Sequence, residues 1–193
     1  MGQYYNPTIL EKDWKKKSKN TNSVVAASLC CYDFDNGAKL MEHSWVGNNF
    51  VGAVAHLLAT EFKGYPFVWV GDYADEAEGV DVYRSALNWQ RTPEYKNLAN
   101  KLQEPEKLPT YKYIVNYTKK EYCTIPEDNK DEWQIHPLPI LTCSGNGRGG
   151  GDFYNKDIND ERVGSWAYDR IGVTNNKKEF AGFKEINSHF EEE

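Results

Sequence analysis

The chain has 193 residues, 27% of them charged and 39% hydrophobic, with a formal net charge of −6. That length and balance give one domain with enough apolar material for its own core, and they exclude a disordered chain. The acidic balance argues against non-specific nucleic-acid binding, and no apolar run reaches the length of a membrane span.

The opening Met1-Gly2-Gln3-Tyr4-Tyr5 carries neither a charged start nor an apolar stretch, so no secretory signal is expected. Asn6 stands where a myristoylation start needs Ser or Thr. Cys30, Cys31, Cys123 and Cys143 have neither a zinc spacing nor a disulfide framework, and read as free thiols in a reducing cytoplasm.

Residues 3–10, rich in Tyr and Ile, read as a first strand. Residues 11–22 form a polar, lysine-rich mobile loop, in which Trp14 could stack on a base and the lysines touch phosphates. Residues 23–31 are continuously apolar and pair with the first strand. Residues 33–37 are turn chemistry, and 39–45 read as a short extended segment. Apolar positions at Phe50, Val51, Val54, Ala55, Leu57 and Leu58 recur at helical spacing behind Asn48 and Asn49, which predicts a helix over 49–60. The run Pro66-Phe67-Val68-Trp69-Val70 reads as a central strand. Residues 83–103 form an irregular helical excursion interrupted near Pro93. Residues 111–117 and 121–125 make a hairpin. Residues 133–143, broken by Pro137 and Pro139, suit an edge strand. Residues 163–174 give another strand, and 181–190 a last strand or short helix. Many strands and few helices without regular alternation make the fold α+β: a single globular domain over 1–193 with a mixed, mainly antiparallel sheet and one principal helix on a face.

Five of the seven residues from Gly145 to Gly151 are glycine, and Arg148 and Asp152 are the only charges in Gly145-Asn146-Gly147-Arg148-Gly149-Gly150-Gly151-Asp152. Successive free amides beside a guanidinium make a cradle for a phosphate or carboxylate. The stretch lacks the Gly-Lys-Ser/Thr ending of a P-loop and the frame of a dinucleotide fingerprint. The competing reading is a tight connection in which glycine serves geometry alone. Asp72 and Asp75 close the central strand and, with Asp152, are candidate ligands for a divalent cation; turn formation is the plainer role. His43 near Asp72 or Asp169 could act as a general base, against the default of a hydrogen-bonded structural histidine. Asp169 and Arg170 face opposite sides of a strand, where one could orient the loop or form a structural ion pair. Cys143 could be a nucleophile beside Arg148, or a buried thiol.

Six phrases, in order, carry a resemblance: Met1-Gly2-Gln3-Tyr4-Tyr5-Asn6-Pro7; Gly37-Ala38-Lys39-Leu40-Met41-Glu42-His43-Ser44; Gly71-Asp72-Tyr73-Ala74-Asp75; Val115-Asn116-Tyr117-Thr118-Lys119-Lys120-Glu121-Tyr122; Gly145 to Asp152; and Gly164-Ser165-Trp166-Ala167-Tyr168-Asp169-Arg170-Ile171. With them the chain resembles a family of uncharacterised proteins of bacteriophages, prophages and bacterial genomes. The resemblance implies a context, the cytoplasm of an infected or lysogenic bacterium, and no mechanism. The lysine-rich loop is longer than the short turn associated with such relatives.

The leading expectation is a cytoplasmic accessory protein with a pocket for an anionic or nucleotide-like ligand. Its walls would be residues 145–152, 72–75 and Asp169-Arg170. Two alternatives stand beside it. One is a protein-binding module that blocks or redirects a host factor through exposed aromatics and the lysine loop. The other is a metal-dependent phosphoester hydrolase using His43, Asp72, Asp75 and Asp152. The cofactor is left open.

Overall fold

The computed structural model describes residues 2–17, 24–103, 108–129, 132–155 and 160–191. β1 (Tyr5–Leu10) pairs antiparallel with β2 (Val25–Ser28) on one side and β3 (Tyr65–Gly71) on the other. β4 (Tyr113–Asn116) and β5 (Glu121–Thr124) form the expected hairpin. β6 (Cys143–Ser144) lies parallel to β3, β7 (Arg170–Thr174) joins β3 to β4, and β8 (Lys184–Glu185) adds a parallel edge to β5. The result is one mixed, mostly antiparallel sheet in the order β2-β1-β3-β7-β4-β5-β8, with β6 on β3. With its helices this is a single α+β fold.

β3 has apolar side chains on both faces because both faces are covered. Phe67 and Trp69 enter the main core with α1 (Asn49–Ala59), while Val68 and Val70 enter a smaller cluster with Leu10, Trp14 and Val82. α1 begins where expected: the Asn48 side chain accepts from the amides of Phe50 and Val51 at 2.9 and 3.1 Å. The excursion over 83–103 resolves into α2 (Val82–Trp89) and α3 (Pro93–Leu102), capped by Asp81 and Thr92, with Pro93 in the first turn. There proline's missing N–H leaves no broken bond. No helix among the described residues is long and apolar enough to cross a membrane.

Three expectations are corrected. Residues 39–45 are not extended: Leu40–Glu42 is a 3₁₀ turn, and Trp45 alone bridges to Ile135. Residues 133–143 are not an edge strand. Pro137 and Pro139 sit in the first turn of a short buried helix, α4 (Pro137–Thr142), capped by His136. Trp14 is not a free stacking platform: it is 2% exposed and stacks on Tyr168 at 5.7 Å. The loop expected at 11–22 is pinned by that ring as far as it is described; residues 18–22 lie outside the described residues.

Candidate functional site

β3 and β6 run parallel side by side, so the segments that follow them, 72–75 and 145–152, leave the sheet at the same end. This brings the glycine loop and the acidic strand end together, as expected. Gly2 bridges Gly150, the Gln3 amide donates to the Gly150 carbonyl at 3.0 Å, and the Met41 amide donates to that of Gly151 at 3.0 Å. The loop therefore lies flat against the N-terminal segment. At Gly149 a Cβ would come within 2.7 Å of the Gln3 Cβ and 2.8 Å of its nitrogen, so only glycine fits.

The loop amides form a nest, and its occupant is the protein's own Asp152. One carboxylate oxygen accepts from the amides of Gly147, Arg148 and Gly149 at 2.8, 3.1 and 3.0 Å. The other accepts from the Tyr5 hydroxyl at 2.6 Å. Asp152 is 3% exposed. Burial first, and then the bond to Asp152, pushes the Tyr5 phenol well up. Asn146 closes the turn by exchanging hydrogen bonds with the backbone of Phe153 at 3.0 and 2.9 Å. Three of the loop amides expected to receive an external anion are thus already used.

Arg148 is equally committed. Its guanidinium forks onto Asp75 at 2.8 and 2.6 Å and donates to the Tyr73 carbonyl at 2.7 Å. Hydrogen bonding by Arg148 holds the Asp75 carboxyl below its usual range. Asp72 accepts from the Tyr4 amide at 3.0 Å.

The other candidates do not join this end. Asp169 accepts from Asn116 and Arg170 donates to the Gly64 carbonyl, beside the opposite end of β3. Five strand residues, roughly 17 Å, separate the two ends. His43 is a core residue with no exposure. One ring nitrogen contacts the Gly37 carbonyl at 2.9 Å, the other accepts from the Trp69 indole at 3.0 Å, and burial brings its pKa down to about 4. A neutral imidazole with both nitrogens engaged has no proton to exchange with a substrate. Cys143 is buried, and burial pushes its thiol up to about 12. Among the described residues no three His, Cys, Asp or Glu side chains gather as a metal centre. The expected cation ligands are separately engaged, Asp75 by Arg148 and Asp152 by the nest.

A different surface is open. Residues 44–46 and 134–136 pair, with the Val46 amide donating to the Gln134 carbonyl at 2.9 Å and that of His136 to the Ser44 carbonyl at 2.9 Å. The C-terminal segment crosses nearby, tied by Ser188 to the Thr124 carbonyl at 2.6 Å and by Arg162 to the carbonyls of Asn187 and His189. Between them lies a cleft of about 420 Å³ lined by Trp45, Pro126, Trp133, Ile135, Phe190 and Glu191, among others. Phe190 is 4% exposed and packs on Phe153, so the floor is fixed. Trp133 forms the lip. Its ring centroid lies 4.4 Å from that of Trp45 at 58°, yet the residue is 80% exposed.

No motif in the sequence marks this cleft. Trp133 stands in the polar run Asp131-Glu132-Trp133-Gln134, an aromatic with no apolar neighbour before Ile135. That isolation was the available signal. Comparison with protein-family models, with curated proteins and with solved structures gives no match.

Proposed function

We propose that the protein acts by binding another protein, without catalysis, and that the contact is made at the aromatic cleft of Trp45 and Trp133. The observation that carries this reading is the exposure of Trp133. It is the most exposed large hydrophobic side chain among the described residues. Exposed tryptophans beside a shaped recess are what binding hot spots are made of, because a partner gains by covering them.

The alternatives have less support. An external anion would have to displace Asp152 from three amides and a tyrosine hydroxyl, and Asp75 from Arg148. A hydrolase would need His43, Asp72, Asp75 and Asp152 to meet around one substrate, and His43 is sealed in the core. The resemblance noted in the sequence sets the place to look: a host factor in the cytoplasm of an infected bacterium.

The test is affinity capture from bacterial lysate with wild type, Trp133→Ala and Arg148→Ala as baits. The expected result is one stoichiometric partner held by wild type and Arg148→Ala and lost by Trp133→Ala. A partner retained by Trp133→Ala and lost by Arg148→Ala would overturn the reading and return attention to the glycine loop.

A further inference from the structure

The chemistry of the cleft restricts what enters it. Two tilted indoles offer electron-rich faces, one of them open to solvent. Aromatic faces attract a cation held within about 6 Å of the ring centroid. Glu191 lines the cleft, Glu127 and Asp128 follow the lining residue Pro126, and Glu132 precedes Trp133. Among the described residues, the two segments that supply most of the lining, 126–129 with 132–135 and 188–191, carry four carboxylates and no lysine or arginine.

Among the described residues no lysine or arginine lines the cleft. The nearby Arg162 is spent internally: its guanidinium pairs with Asp160 at 2.5 Å and lies over the Phe190 ring at 4.5 Å. His189 faces Glu191 at 3.0 Å. Aromatic faces inside an acidic rim repel anions and reward a planar or compact cation, which can stack on the ring and pair with a carboxylate together.

We infer, resting on the protein-binding reading above, that the occupant of the cleft is an arginine- or lysine-bearing segment of the partner protein. The guanidinium or ammonium sits on the face of Trp133 and pairs with Glu191, and the aliphatic stem covers the indoles.

The probes are short fluorescein-labelled peptides of Gly-Arg, Gly-Lys, Gly-Glu and Gly-Ser repeats, titrated against the full chain and read by anisotropy. The basic peptides are expected to bind and the acidic and neutral ones not. Added salt should weaken the binding. Trp133→Ala leaves the net charge unchanged, so general attraction to an acidic protein survives it, whereas binding in the cleft drops about tenfold. Glu191→Gln should weaken binding several-fold, and Arg148→Ala should leave it unchanged. Equal binding of the Gly-Ser peptide, or basic-peptide binding untouched in Trp133→Ala, overturns the inference. If no basic peptide binds while the captured partner is still lost from Trp133→Ala, the inference fails and the protein-binding reading stands. If the partner too survives that substitution, the reading fails.

Discussion

Asp152 shows how a single side chain decides what a loop is for. A carboxylate buried among three amides and a phenol is fully satisfied, and its removal leaves three part-buried loop amides without their acceptor, while the Tyr5 hydroxyl keeps only its 3.2 Å contact with Gln3. Unpaired buried groups cost more than the bonds they lose, so Asp152→Ala should destabilise the fold by about 2–4 kcal/mol. Tyr5→Phe removes the hydroxyl's bonds to Asp152 and Gln3 and leaves the nest intact, for about 1–2 kcal/mol. Arg148→Ala breaks an exposed ion pair that solvent already screens, and should change stability little. Urea unfolding of the three variants checks the order. If Arg148→Ala matches Asp152→Ala, the ion pair and not the nest holds the loop. The sequence made the donors legible, since a run of glycines announces available amides. It could not say whether the anion they hold comes from outside or from a residue of the same loop, because composition is identical in both cases.

At the scale of elements, what was readable had a local cause. α1 carried an amphipathic period and an asparagine at its start, and both operate within a few residues. Its cap accepts two first-turn amides that have no partner inside the helix. Asn48→Ala should therefore cost about 1 kcal/mol, while Asn48→Ser, which keeps an acceptor, should stay near wild type; thermal unfolding distinguishes them. Equal loss in both would place the effect in the bond from Asn48 to Asn36 instead. The misread element, α4, had no such local signature. Pro137 and Pro139 break a ladder if the segment is a strand, but are harmless in a first helical turn. The choice is made by tertiary burial, since every residue of α4 is buried against the core. The pairing of β6 with β3 was illegible for the same reason, being two residues long and fixed by what lies on either side.

For the whole molecule, the central strand and the α+β mixture followed from patterns that extend along the chain, whereas the cleft joins residues 45, 133 and 190 and has no sequence pattern at all. The same depth of burial that gives the fold its core also sets its response to acid. His43 and His136 are both buried, and desolvation brings their pKa values down to about 4 and about 3. In the unfolded chain each titrates near 6.5. Below that value the unfolded state takes up protons that the folded state refuses, so acid favours unfolding. Stability from these two residues is complete above pH 6.5 and declines as pH falls, until each folded-state pKa is passed. By pH 5 each should have given up about 2 kcal/mol. The urea midpoint followed by circular dichroism should accordingly fall between pH 7 and pH 5, and most of that fall should vanish only if both imidazoles are replaced by neutral residues that keep their hydrogen bonds, such as His43→Gln with His136→Asn. His136 caps α4 through the Leu138 amide at 3.2 Å, and asparagine can make the same bond. A midpoint that holds steady from pH 7 to pH 5 would mean that water reaches these rings, and that the core around Trp69 is more open than its packing implies.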